Sequence, residues 1–176
     1  MKKLLFILIA IGVLSVLALH LYYNIYKHGY EDKKYGFLFL DTRGWTILEP
    51  KEGVYMSLGT TENNIVISYV GISPVSKNVN KDKSAETIQK LCNETISETK
   101  GEYKSFSNIT IGGLAGYACN YKTKGTNTNN MLNVSSIILF GKAPENYDYI
   151  ISTSFPKGNS DEQRKIETLI SNFQAN

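Results

Sequence analysis

The chain has 176 residues, 42% of them hydrophobic and 20% charged, the balance of an ordinary globular protein with one domain and a short appendage. Its formal charge of +3 includes Lys2 and Lys3 ahead of an apolar leader; without them a nearly neutral body remains. No clustered Lys and Arg are present to grip a phosphate backbone, which excludes nucleic acid as a partner.

The leader comes first in the chain. Met1-Lys2-Lys3 precedes an apolar run from Leu4 to Leu19, broken by Gly12 and Ser15. Cations before an apolar stretch form an export signal. Continuing through His20, Leu21, Tyr22 and Tyr23 brings the run to the roughly 20 residues that span about 30 Å of hydrocarbon. Tyr22, Tyr23 and Tyr26 fall where an aromatic belt belongs, with Lys27 beyond them. The pattern predicts a signal anchor over residues 1–26, a single pass with its N-terminus in the cytoplasm and the body outside the cell membrane. Val16-Leu17-Ala18 offers small residues at a spacing that signal peptidase accepts, so a cleaved and secreted form is the alternative. No cysteine ends the apolar run, which argues against a lipoprotein.

Residues 27–34 read as a polar tether, and 35–176 as the folded domain. Strands are expected over 35–40, at Trp45-Thr46-Ile47-Leu48, and where Val54, Met56 and Leu58 alternate with polar neighbours. Asn64 to Val70 repeats that alternation with Ile65, Ile67 and Tyr69. A helix follows. Ser84 is its N-cap, Ala85, Ile88, Leu91, Cys92 and Ile96 form its apolar stripe, and Gly101 ends it. Four segments rich in β-branched and aromatic residues come next, at 106–111, 114–122, 131–140 and 147–155. Ser160-Asp161-Glu162-Gln163 has the spacing of a capping box, and Ile166, Leu169, Ile170 and Phe173 line one face of the closing helix. The fold class is therefore α+β, an antiparallel sheet covered by helices.

Tyr35-Gly36-Phe37-Leu38-Phe39-Leu40 followed by Gly44-Trp45-Thr46-Ile47 resembles the opening of the PsbP-like family. Further matches are Ile111-Gly112-Gly113-Leu114-Ala115-Gly116-Tyr117 between two strands, Tyr147-Asp148-Tyr149-Ile150-Ile151, and a terminal helix near Phe173. The resemblance covers residues 35–174. It implies an α/β/α sandwich and the role of a binding or accessory module, a role in which family members take widely different partners.

Chemistry is sparse. Both histidines, His20 and His28, precede the domain, which removes Ser-His and Cys-His nucleophile pairs and His-based zinc sites. The close acid pairs, Glu49 with Glu52 and Asp161 with Glu162, fit a turn and a helix N-terminus. Gly112, Gly113 and Gly116 do not make a phosphate loop and read as hairpin glycines. The sequence therefore predicts no catalytic residues, no metal ligands and no cofactor. Cys92 and Cys119 are the open pair: if the helix of one packs on the strand of the other they can form a disulfide, and otherwise they are two small buried apolar groups. Twelve tyrosines sit mostly on strands, as half-buried residues do. The glycosylation-like triplets at Asn93, Asn108 and Asn133 are chance matches.

The leading expectation is a membrane-anchored binding module that holds an envelope protein by an open sheet edge or the loops around 71–83 and 123–130. The alternative is a small-ligand carrier for a lipid or sugar, with an aromatic-lined pocket between sheet and helix.

Overall fold

A computed structural model describes residues 13–17, 19, 28–77, 82–125, 130–142 and 147–175. The segment read as a signal anchor lies largely outside these. Residues 13–17 and 19 are helical, and no described helix is long and apolar enough to cross a membrane.

Among the described residues, alternating and β-branched runs build ten strands, antiparallel throughout. A small sheet holds β1 (Tyr30–Asp32), β2 (Phe37–Phe39) and β10 (Phe173–Ala175), with β2 in the middle. The large sheet comprises β3 (Thr46–Leu48), β4 (Met56–Glu62), β5 (Ile65–Ser76), β6 (Glu102–Ile111), β7 (Leu114–Lys124), β8 (Met131–Leu139) and β9 (Tyr147–Pro156). Its order is β3-β4-β5-β9-β8-β7-β6, which leaves β3 and β6 as the two edges. Helices α1 (Ala85–Glu98) and α2 (Ser160–Ser171) cover opposite faces.

The main core lies between the large sheet, α2 and the small sheet. Phe37, Phe39 and Phe173 from the small sheet meet Tyr149, Leu58, Val70, Ile72, Leu139 and Ile151 of the large one and Leu169 of α2, all essentially fully buried. The Phe37 and Phe173 rings stack at 5.9 Å, and Tyr149 lies edge-on to both. The Tyr149 hydroxyl donates to the carbonyl of Tyr35 at 2.8 Å, so the largest core side chain leaves no buried polar atom unpaired. On the other face α1 packs Cys92 and Ile96 on Cys119 and Tyr121 of β7.

Several elements differ from the sequence expectation. Residues 30–32, read as tether, form β1, because Asp32 is buried and turns the chain by accepting from the Tyr35 amide at 2.8 Å. On β5 the expected inward set was Ile65, Ile67 and Tyr69. Instead Ser68, Val70 and Ile72 face the core and Ile65 is 64% exposed. A register shift between Thr60 and Thr61 and the demand of Glu162 for hydroxyl donors from Thr60 and Ser68 set that face. The N-cap of α2 is Asn159 rather than Ser160: its side chain accepts from the Glu162 amide at 3.1 Å, and Ser160 is the first helical residue. Phe173 is buried as expected, but on β10, after the helix has ended at Ser171. Residues 71–76, expected in a partner-holding loop, belong to β5. Residues 78–81 and 126–129 of the two expected loops lie outside the described residues.

Candidate functional site

The ladder registers lay out rows of side chains on the face that α2 covers, since directly paired residues share a face. One row runs Leu58, Val70, Thr153, Ser135, Asn120, Ser105 across β4, β5, β9, β8, β7 and β6. The next runs Met56, Ile72, Ile151, Ile137, Ala118, Ser107. Helix α2 packs on β5 and β9, where Val70, Ile72 and Ile151 are apolar and Thr153 is buried beside them. Past β9 the first row turns polar, at Ser135, Asn120 and Ser105, while the second keeps Ile137 and Ala118 buried before it ends at the exposed Ser107.

An open groove of about 720 Å³ results, between α2 and β6–β8. Its floor is aliphatic, from Ile109, Ile111, Ile137, Ile166 and Ile170. A hydrogen-bonded rail lies beside that floor. The Asn120 amide donates to Ser105 at 3.0 Å, the Ser135 hydroxyl donates to Asn120 at 2.5 Å, and Lys104 donates to Asn133 at 2.6 Å. Lys104 and Glu167 are the two charged residues of the lining. Glu167 accepts from the Gln163 amide one helical turn earlier, at 2.8 Å. Phe155 also contributes, so the lining is mostly aliphatic and hydroxyl-bearing rather than aromatic. Sequence reasoning missed this groove. The available signal was the switch from Leu, Ile and Val to Ser and Asn on inward positions of β6–β8, legible only once the rows are aligned.

The other candidate residues disperse. Glu162, one of the acids considered at a helix N-terminus, is buried and accepts from Thr60 at 2.7 Å, Ser68 at 2.6 Å and Lys165 at 2.5 Å. Burial alone would push its carboxyl up, but those three donors together outweigh it and hold the group below its ordinary value. It pins α2 to β4 and β5. Asp161 is paired with Arg164 at the surface. Glu49 and Glu52 are exposed. Asp32 accepts from the Tyr55 hydroxyl at 2.7 Å, a bond that pushes the phenol up to about 12. Asp148 is held by Lys83 at 2.7 Å. Each buried carboxylate thus has a structural partner. Among the described residues, no three His, Cys, Asp or Glu side chains converge as a metal site would require. Helix α1 brings Cys92 over Cys119, with Cα atoms 5.9 Å apart and the two sulfurs 2.00 Å apart, as in a disulfide.

No family model and no curated protein matches the sequence. Solved structures do. The chain is similar to cyanobacterial PsbP from Synechocystis (TM-score 0.55, 13% identity, 85% of this chain and 92% of that one). The chain has the PsbP-like fold. The yeast Ran-binding protein Mog1p matches at TM-score 0.53 and 8% identity, over 84% of this chain and 94% of that one. LpqN of Mycobacterium tuberculosis, described as involved in cell envelope biogenesis, matches at TM-score 0.52 and 8% identity, over 78% and 82%. At these identities the PsbP-like likeness is one of architecture.

Proposed function

We propose that this chain is a non-catalytic binding module, held on the outer side of the cytoplasmic membrane by its N-terminal apolar segment, and that the groove between α2 and β6–β8 is where it holds an envelope protein. The observation that carries the reading is the groove itself: an inner sheet face only partly covered by α2, with a hydrogen-bonded polar rail beside an aliphatic floor. Where α2 seats on the sheet, the inward hydroxyls of Thr60 and Ser68 are buried and bonded to Glu162, whereas the Ser and Asn row of the groove stays open. The PsbP-like fold adds support, since one protein that shares it is described as Ran-binding and another as involved in cell envelope biogenesis. Neither partner is carried over.

A photo-crosslinking residue placed at Ser107, on the groove wall, and a control at Lys90, on the outer side of α1, test the reading in living cells. Specific protein adducts from position 107 and none from position 90 are expected. Adducts from neither position would reject the groove as a protein site. Anchoring is checked separately: the full chain should stay with membranes after alkaline carbonate extraction, and its appearance in the soluble fraction would favour the secreted form.

A second reading has its own observation. The rail of Ser105, Asn120 and Ser135 beside Ile137 and Ile166 suits a small uncharged amphiphile, such as a lipid with a sugar headgroup. Native mass spectrometry of the protein from its own host should then show a co-purified small molecule. A bare mass with no thermal shift across a lipid and sugar panel would dismiss it.

A further inference from the structure

Edge strands are a hazard that folded proteins manage with short length, charge, proline or bulges. The two edges of the large sheet are treated differently. β3 is three residues long. β6 has ten residues, and its one register shift lies between Tyr103 and Ser105. From there to its end the strand reads Ser105-Phe106-Ser107-Asn108-Ile109-Thr110-Ile111, regularly paired to β7, with no charge and no proline. Ser105, Ser107, Asn108 and Thr110 are exposed.

The hairpin fixes which backbone groups are free to bond outward. Gly112 and Gly113 have φ of 56° and 77°, the two-residue turn with both central residues left-handed, and Ile111 pairs with Leu114 to close it. In such a turn the closing pair exchanges both hydrogen bonds, and bonded pairs alternate from there. Ile111, Ile109 and Ser107 therefore bond to β7, while the N–H and C=O of Thr110, Asn108 and Phe106 point away from the sheet. Ser107 and Ile109 also wall the groove. A strand laid along this edge would place every second side chain over the groove.

The sheet is antiparallel throughout, an order that an added strand antiparallel to β6 continues, and charge then distinguishes its two ends. Helix α2 begins just beyond the end of β9, and β10, which follows it, brings the Phe173 carbonyl against Gly112. Glu167 thus stands nearer the Ile111 end of β6, and Lys104 stands at the other end. A segment antiparallel to β6 would meet Glu167 with its N-terminal part and Lys104 with its C-terminal part.

We propose that residues 105–111 of β6 are a docking edge for an extended segment of a partner protein, which adds antiparallel as an eighth strand and sets alternate aliphatic side chains into the groove. The segment carries a cation toward its N-terminal end, opposite Glu167, and an anion toward its C-terminal end, opposite Lys104. Main-chain bonds to Phe106, Asn108 and Thr110 supply affinity, and the groove supplies side-chain choice. The inference rests on the groove being a protein site, and it adds the mode of binding and the chemistry of the partner.

A display library of random nine-residue peptides, selected on the full chain in detergent, tests it. Peptides with alternating aliphatic residues and a cation N-terminal to an anion should be enriched. The variant Asn108→Pro removes one outward N–H and leaves the β7 ladder bonds in place, and it should bind the selected peptides at least tenfold more weakly. Selection on Glu167→Lys should return peptides with an anion in place of the cation, which keeps the test decisive even if Asn108→Pro does not fold. Enrichment of peptides without alternation, an unchanged selection on Glu167→Lys, or no enrichment at all would overturn the proposal. So would protection of the Phe106, Asn108 and Thr110 amides from exchange that grows with protein concentration in the absence of peptide, since the occupant would then be a second copy of this chain. Adducts from position 107 in cells together with any of these outcomes would leave the groove as a protein site and dismiss only strand addition.

Discussion

Lys100 shows how one residue can hold a conformation that its side chain disfavours. It follows Thr99, the C-cap of α1, and has φ of 50°. Its amide donates to the Ser97 carbonyl at 3.1 Å and the Gly101 amide donates to that of Ile96 at 2.7 Å, the paired bonds of a left-handed helix ending. Gly101 ends the helix as its position in the sequence suggested, but the residue with positive φ is the lysine before it. Glycine reaches that region without the clash that a Cβ brings. Lys100→Gly should therefore stabilise the domain by about 0.5–1 kcal/mol, offset in part by the greater freedom glycine gives the unfolded chain. Urea unfolding of the two proteins measures it, and a variant less stable than the parent would show that the backbone at Lys100 carries no strain.

At the scale of elements, α2 is held to the sheet by apolar packing from Ile166, Leu169 and Ile170 and by one buried carboxylate. Replacing Glu162 with Gln keeps its shape but loses the charge that Thr60, Ser68 and Lys165 satisfy, and should cost about 1–3 kcal/mol at neutral pH. The folded-state pKa of Glu162 lies below its ordinary value of 4.5. Its contribution is therefore complete above that ordinary value and fades as pH falls through the lower folded one. The stability difference between parent and Glu162→Gln should be flat from pH 7 to about 5 and then shrink on acidification; a difference independent of pH down to 3 would contradict the assignment. The same carboxylate explains why β5 was misread. Period-2 alternation finds a strand but is silent on which set faces inward, and the helix residue that demands Ser68 inside is 94 positions away. By contrast α1, the four strands from β6 to β9 and the glycine hairpin were legible, because each depends on its own residues. β1 and β10 were not, because they exist by pairing with β2 and their own residues carry no alternation. The groove was hidden for the same reason as the face of β5: its rows are made by register between strands and not by any one of them.

Across the whole molecule, α2 and the small sheet close the larger core on one side, while α1 covers the β6–β7 end of the other with a small apolar cluster. Cys92, Ile96, Cys119 and Tyr121 are the buried members of that cluster, with Phe106 and Val134 against it. Ile88, Cys92 and Ile96 are the buried residues of α1, and the cystine adds a covalent link to that packing. A bridge between Cys92 and Cys119, 27 positions apart, restricts the unfolded chain by about 3 kcal/mol in the chain-entropy account. Outside the cytoplasm such a link persists, whereas in a reducing compartment it is removed. Protein denatured without reductant should therefore show no free thiols, and two would mean that the cysteines are simply packed together. Reduction, or the double change Cys92→Ala with Cys119→Ala, should lower stability by roughly that amount. Exchange protection should fall first in α1, while the strands under α2 keep theirs, since their packing does not pass through the cystine. Phe106 lies at the edge of the α1 cluster and belongs to β6, next to the groove wall at Ser107, so loosening α1 should also weaken a strand docked along 105–111. If the reduced protein bound the selected peptides as tightly as the oxidised one, α1 and the docking edge would be independent, and the cystine would serve stability alone.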